Sequence, residues 1–317
     1  MAIAVIDIGT NTLLLLIVDA AMQPVVDLCR FGRLGKGLDA TGRLADDAIA
    51  ASLAICREYR QVMDDHGVAR PIAIATQAAR EAANAADFIV PAEQILGAPI
   101  EVIAGNREAE LAALSVVRSL PELAGTRYLV VDVGGGSTEI ITVDGDRAVD
   151  RTSLPIGAVR LTERHLRHDP PSAPEITALT ADIDRHIGAL ALPRGVPVVG
   201  TAGTATTLAA IVLSLPRYDP VAVTGLRIAQ DTVVALHGRL LAATVEARKA
   251  IPGVEPQRAD VIAAGAAIFA GVLQLIDAPV LITCDRGIRW GLAYEAHDAA
   301  AAAARGAASQ GTSQGPE

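Results

Sequence analysis

Aromatic residues are scarce in this chain: three Phe, four Tyr and one Trp make up 3% of its 317 residues. A surface that binds single-stranded nucleic acid by stacking bases needs more rings than that. The net charge of −9 also disfavours attraction to a phosphate backbone. No nucleic-acid partner is therefore expected. Cysteine is equally sparse. Cys29, Cys56 and Cys284 are odd in number and share no metal-ligand spacing, which favours reduced thiols in a cytoplasmic protein. No apolar run approaches the roughly 20 residues of a membrane span, so no membrane partner is expected. The N-terminus lacks a basic segment and a cleavage site, and Asp7 and Asn11 interrupt its apolar run. It reads as a strand rather than a signal peptide. Lysine is nearly absent: Lys36 and Lys249 stand against 25 arginines. The guanidinium forks suit phosphate oxygens.

What is abundant is apolar residue, 51% of the chain, enough for one large domain or, better, two. One short pattern occurs twice. Val5-Ile6-Asp7-Ile8-Gly9-Thr10-Asn11-Thr12 opens the chain, and Val131-Asp132-Val133-Gly134-Gly135-Gly136-Ser137-Thr138 follows in the second third. Each copy is a β-branched strand, an Asp, a glycine turn and hydroxyls, with further apolar strand beyond (Leu13 to Val18; Ile140 to Val143). The Asp offers oxygen to a divalent cation. The glycines let successive N–H groups face one phosphate. Two such hairpins across a cleft would suit a substrate made of phosphates.

The coarse order is strand and helix in alternation, an α/β chain with mixed sheets. Strands are expected at Pro71–Ala75 and Ile100–Ile103, and helices at Leu44–His66, Ala78–Ala86, Phe88–Leu96 and Arg107–Arg118. From about Arg127 a second unit begins: strands Tyr128–Val133 and Glu139–Val143, a turn at Asp144-Gly145, a further strand to Leu154 and a helix after Gly157. Strand Val196–Gly200 runs into Thr201-Ala202-Gly203-Thr204 and a helix. An apolar helix Ala259–Ile276, a strand Pro279–Thr283 and a helix Gly287–Ala296 complete it. Beyond His297 the chain is Ala, Gly, Ser and Gln without periodicity, which reads as a disordered tail.

These motifs carry a resemblance. Both hairpins, Gly200-Thr201-Ala202-Gly203-Thr204, Ala75-Thr76-Gln77-Ala78-Ala79-Arg80-Glu81-Ala82, Gly105-Asn106-Arg107-Glu108-Ala109, Arg258-Ala259-Asp260-Val261-Ile262 and Asp285-Arg286-Gly287-Ile288-Arg289 together resemble the exopolyphosphatase / guanosine-pentaphosphate phosphohydrolase family. The match runs from residue 3 to about 295. It implies the actin, hexokinase and Hsp70-like superfamily: two ribonuclease-H-like domains with mixed sheets and an interdomain cleft. They would span 1–124 plus about 285–300, and 125–284, with 301–317 as the tail. The last helix would return to the first domain. Longer relatives carry an extra helical domain, so this chain resembles the short form.

The reaction implied is hydrolysis of a terminal phosphoanhydride of inorganic polyphosphate. By resemblance, Glu108 is the catalytic base. Asp132 and Glu139 are the metal carboxylates, with Asp7 across the cleft helping through water, for Mg²⁺ with Mn²⁺ as the alternative. Asn11, Thr12, Arg80, Gly134, Gly135, Gly136, Ser137, Gly203 and Thr204 bind phosphate. Arg258 and Asp260 would form a structural pair bracing the cleft; Arg286 and Arg289 would be structural or line an exit path. The chain departs from the family pattern where Glu110 replaces an Arg, where it could pair with Arg107, and at Trp290, Gln77 and Cys284. Other readings are 5′-phosphate removal from guanosine pentaphosphate, a superfamily kinase, and a sensor of polyphosphate or alarmone. A homodimer is implied by the family alone.

Overall fold

The computed structural model describes residues 2–311, with side chains through Arg305. Its first three strands, β1 (Ile3–Ile8), β2 (Leu13–Val18) and β3 (Pro24–Arg30), form an antiparallel meander. Helices α1 (Leu38–Thr41) and α2 (Asp46–Asp65) lead to β4 (Ile72–Ala75), parallel to β1. Then come α3 (Gln77–Glu81), α4 (Ala86–Leu96) and β5 (Ile100–Val102), parallel to β4. The sheet order is β3-β2-β1-β4-β5. Helix α5 (Gly105–Ser119) links it to the second half.

That half repeats the plan. Strands β6 (Arg127–Val133), β7 (Thr138–Asp144) and β8 (Arg147–Leu154) form another antiparallel meander, turning at Gly145 with φ 64°. Helices α6 (Ala158–His165) and α7 (Ala173–Ile187) precede β9 (Val198–Thr201), parallel to β6. There follow α8 (Ala202–Val212), α9 (Pro220–Val223), β10 (Arg227–Ala229), α10 (Gln230–Ala242), α11 (Val245–Lys249), α12 (Ile262–Leu275), β11 (Val280–Thr283) and α13 (Ile288–Gly311). The order β10-β11-β9-β6-β7-β8 matches the first sheet strand for strand, with β11 in the place of β5 and β10 added at the edge. This is the doubled ribonuclease-H-like arrangement the resemblance implies.

Burial explains the strand compositions. Strands β1, β2, β6 and β7 are covered on both faces and read as near-continuous apolar runs. Edge strands β3 and β8 are half exposed, and Pro24 is tolerated at the edge. One face of the first sheet packs Ile6, Ile8, Leu13 and Leu15 under Cys56, Tyr59, Met63 and Phe88 of α2 and α4. The other face packs Val5, Leu16 and Ile74 under Leu111 of α5 and Trp290, Leu292 and Tyr294 of α13. The opposite side of α5, with Ala109, Ala112 and Val116, lies on Tyr128, Val130 and Ile141 of the second sheet. Helix α5 is thus shared by both sheets. The far core of the second half centres on Phe269 and Ile268 of α12.

Three local expectations are corrected. The helix expected over 78–86 ends at Glu81, because the Asn84 side chain clasps both the N–H and the C=O of Leu44 (2.8 and 3.1 Å) and pulls the chain out of helical register. The apolar helix begins at Ile262, after a 3₁₀ turn at Pro256–Arg258. The stretch from 301 to 311, expected to be disordered, continues α13. Its alanines have the strongest intrinsic helix propensity, which outweighs the missing amphipathic pattern. Residues 312–317 of that tail lie outside the described residues. Among the described residues no helix is long and apolar enough to cross a membrane.

The docking of α13 depends on Gly291, where a Cβ would lie 2.1 Å from the Leu111 carbonyl oxygen of α5. Gly291→Val is expected to push the helices apart and destabilise the protein by about 2 kcal/mol or more, read as a lowered denaturation midpoint. An unchanged midpoint would contradict this packing.

Candidate active site

A cavity of about 890 Å³ opens between the two sheets, lined by both hairpin turns, Glu108, the start of α8 and the Arg258 segment. The duplicated topology puts its parts in equivalent places. Asp7 and Asp132 are each the penultimate residue of the first strand of a meander. Opposite Asp132 across the antiparallel pair stands Glu139; opposite Asp7 stands Leu14. On the parallel side Asp132 faces Thr201, whereas Asp7 faces Ile74. The Thr201 hydroxyl donates to Asp132 Oδ2 at 2.7 Å. Asp7 has no such neighbour, and its Oδ1 is buried without a partner.

The two turns nearly touch. A Cβ at Gly135 would lie 2.9 Å from Thr10 Cβ and 3.3 Å from the Asn11 nitrogen, and one at Gly136 would overlap the Gln77 amide. Gln77 also accepts from the Thr10 hydroxyl at 2.8 Å. These glycines are required by close approach rather than by positive φ, which none of Gly9, Gly134, Gly135 or Gly136 adopts. Among the described hydrogen bonds, the N–H groups of Thr10, Asn11, Gly135 and Gly136 donate to no protein acceptor. Such clustered N–H groups make an anion cradle.

A third donor set comes from α8, which starts immediately after β9 and whose first-turn N–H groups have no helical acceptor. Ala202 holds φ 61°, a left-handed conformation that costs an Ala residue about 1–2 kcal/mol. At Gly203 a Cβ would strike the Arg258 guanidinium (1.9 Å). Asn11, Thr12, Gly134, Gly135, Gly136, Ser137, Gly203 and Thr204 all line the cavity, as do Asp7, Glu108, Asp132 and Glu139.

A sequence model of the Ppx/GppA phosphatase family matches residues 14–300. The chain belongs to the Ppx/GppA phosphatase family. It is 39% identical over 285 residues to exopolyphosphatase 2 of Mycobacterium tuberculosis, covering 84% of this chain and 88% of that protein. It is 30% identical over 300 residues to a guanosine-5'-triphosphate,3'-diphosphate pyrophosphatase of Vibrio cholerae, covering 92% of this chain and 58% of the other. A solved exopolyphosphatase from Cytophaga hutchinsonii superposes with a TM-score of 0.86 at 28% identity, over 94% of this chain and 98% of that one.

In this Ppx/GppA phosphatase the four acids are buried in one cleft. Asp7 is pushed up to about 7, first by burial and then by the charges of Glu108 and Asp132. Glu139 is raised well above its usual range by burial, Glu108 and Asp132, although the Ser153 hydroxyl donates to it at 2.7 Å. Asp132 is raised by burial, against the Thr201 hydrogen bond. Glu108, in the first turn of α5, is raised by burial and drawn back by Arg80.

Arg80 is the site residue whose position differs from expectation. It does not line the cavity; its Nη1 donates to Glu108 Oε1 at 2.7 Å and to the Ile103 carbonyl at 2.6 Å. In this structure it grips the acid rather than the cradle. Arg258 and Asp260 are not a pair. Asp260 binds Arg33 (2.8 Å), while Arg258 stacks on Phe31 (5.1 Å) and enters none of the ion pairs among the described residues. Arg258 is therefore a cleft cation that the sequence had suggested to be structural. Thr201, Ser153 and Gln77, which fix Asp132, Glu139 and Thr10, were missed as supports. Thr201 and Ser153 reach the acids as register neighbours of Asp132 and Glu139, and Gln77 from the start of α3, so their roles depend on tertiary pairing rather than on the motifs around them.

The departures are absorbed locally. Glu110 pairs with Arg107 (3.4 Å), as the sequence suggested, and with Arg151 (2.7 Å). Trp290 is core, with Arg286 stacked on it at 4.0 Å. Arg289 is held by Asp27 and Asp285 at 3.0 Å each.

Among the described residues no three carboxylate, histidine or cysteine side chains converge as a ready metal shell. The orphaned Asp7 oxygen and the mutual repulsion still fit Mg²⁺, which takes one or two carboxylates and completes its shell with water and substrate phosphate. A raised carboxyl pKa means that the folded state holds a proton the unfolded chain has released. The metal-free protein should therefore lose stability as pH rises from 3.8, the ordinary value for Asp7, to about 7. Asp7→Asn should flatten this fall and raise the metal-free melting temperature at pH 7. An equally steep fall in the variant would contradict it.

Proposed function

We propose that this protein is an exopolyphosphatase, hydrolysing the terminal phosphoanhydride of inorganic polyphosphate and releasing orthophosphate. The observation that carries the reading is Glu108: a buried carboxylate held by Arg80, facing the same cavity as two phosphate-cradling turns. The 39% identical exopolyphosphatase supports the substrate class.

In this reading the terminal phosphoryl group sits between the Thr10–Thr12 and Gly134–Ser137 turns and takes up their N–H groups. Glu108 orients an in-line water and accepts its proton. Burial raises the proton affinity of that carboxylate, while Arg80 limits the rise and fixes Oε1, leaving a base of useful strength. Thr201 and Ser153 occupy one oxygen each of Asp132 and Glu139, which sets the oxygens left for a cation. Mg²⁺, with Mn²⁺ as the alternative, would be held by Asp132 and Glu139, with Asp7 helping through water, and would supply charge neutralisation at the phosphate oxygens. The α8 terminus at Gly203 and Thr204, with Arg258, meets the next phosphates along the chain. A cytoplasmic homodimer belongs to the same reading.

A second reading, guanosine pentaphosphate 5′-phosphohydrolase, is favoured by one feature. Phe31, Leu215 and Val254 make the cavity apolar beside Arg258, room that a bare phosphate chain does not use. The Vibrio cholerae relative is named for such an alarmone.

Purified protein with Mg²⁺ should release phosphate from polyphosphate, and Glu108→Gln should lower kcat by about 100-fold or more. Release unchanged in that variant would overturn the role of Glu108. No release by the wild type would overturn the polyphosphate reading, and faster turnover of guanosine pentaphosphate would select the second. Arg258→Gln should raise KM about tenfold with a smaller effect on kcat, since it removes a charged hydrogen bond to bound phosphate. An unaltered KM would place Arg258 outside the binding path.

A further inference from the structure

Resting on the exopolyphosphatase reading, we propose that Arg160 is a positioning residue, which ties the phosphate loop of the second half to the Arg80–Glu108 pair of the first.

Arg160 lies on α6, and its side chain is 8% exposed, against 40% for Arg33 in the Arg33–Asp260 pair that also joins the two halves. Both ends of the residue are committed. Its backbone N–H, with those of Ala158 and Val159, donates to the carbonyls of Gly134 and Gly135 (2.8–3.1 Å), so the first turn of α6 is bolted to the phosphate loop. Its guanidinium reaches across to the first half, donating to Glu81 on α3 and pairing with Asp39 on α1 (3.4 Å).

Glu81 is adjacent to Arg80. Helix α3 is only five residues long, and the chain turns extended at Ala82. So short a helix has little intrinsic rigidity. Its two ends are held by contacts from the second half: Gln77 against Gly136, and Glu81 against Arg160. What hangs on α3 is Arg80, whose Nη1 fixes Glu108 Oε1. The path from phosphate loop to general base therefore runs Gly135, Arg160, Glu81, Arg80, Glu108, every link a hydrogen bond, an ion pair or one peptide step.

The Glu81 side chain of this pair is 41% exposed, and an ion pair open to solvent on one side contributes little to stability. A role in orientation accounts better for a guanidinium placed in this seam. Binding of a phosphate chain in the loop fixes α6, hence Arg160, hence the geometry of the base. The other charged groups facing Arg160 fit this arrangement: Arg164, one helical turn on, holds Asp39 at 2.9 Å and keeps that carboxylate in place.

The test is steady-state polyphosphate hydrolysis with Mg²⁺ by wild type, Glu108→Gln, Arg160→Gln, Arg160→Lys, Glu81→Gln and the Arg160→Gln/Glu81→Gln double variant, with melting temperatures measured alongside. Arg160→Gln is expected to lower kcat about tenfold or more at nearly constant KM, the signature of a misplaced base. Glu81→Gln should do the same, the double variant should lose no more than either single one, and Arg160→Lys should recover part of the rate. Wild-type kcat in a folded Arg160→Gln protein, or additive losses in the double variant, would overturn the positioning role. Where the wild type is active and Glu108→Gln is silent, such a result leaves the exopolyphosphatase reading standing. An inactive wild type would overturn both.

Discussion

The burial of four carboxylates in one cleft is the constraint on which this structure turns. Asp7, Glu108, Asp132 and Glu139 share one cleft; burial raises the proton affinity of each, and the charge of neighbouring carboxylates adds to it at Asp7, Glu108 and Glu139. Left to itself such a cluster would hold protons or swell apart. The fold resists this by mounting the acids on rigid supports. Two sit near the ends of central strands, one on the paired strand directly opposite, and one on a helix packed between both sheets. Only a few groups answer them from the protein, chiefly Thr201, Ser153, Arg80 and the charge of Arg289. Much of their charge is left without compensation from the protein. That imbalance fits an enzyme better than a passive binder of polyanions.

Duplication builds the cleft. Two meanders of the same strand order present the same Asp and the same turn, and the turns meet at Thr10 and Gly135. The copies have diverged where the chemistry needs them to. The second carries Glu139 and Thr201 beside its Asp; the first carries Leu14 and Ile74, which leaves Asp7 with an unanswered oxygen. One half is thus a well-supported carboxylate pair, and the other contributes a single poised acid. Helix α5 then brings Glu108 to the seam, and α13 crosses back to lock the first sheet against α5.

Much of this was legible in the residues. The repeated strand–Asp–Gly pattern located both turns, because continuous β-branched runs ending in Asp and Gly have few other uses. The buried strands and the longer helices followed from periodicity. What periodicity could not reveal was relational. Arg80 and Glu108 meet only because β4 and β5 are parallel neighbours, and Arg258 enters the cleft only because the chain turns at Pro256 ahead of α12. Asn84 shortens α3 through a clasp on Leu44, forty residues away. Alanine propensity extended the last helix where amphipathic reasoning expected none. The fold was thus more readable than the site's supporting contacts, since the former is written in local pattern and the latter in sheet register.

The most direct test is a calorimetric titration of Mg²⁺ into the metal-free protein at pH 7, repeated in two buffers of different ionisation enthalpy. A cation that binds these carboxylates must displace the protons that burial and repulsion had retained. The account predicts that Mg²⁺ binding releases protons from the wild type, with the release diminished in Asp7→Asn. Binding without proton release, or the same release from the variant, would contradict it.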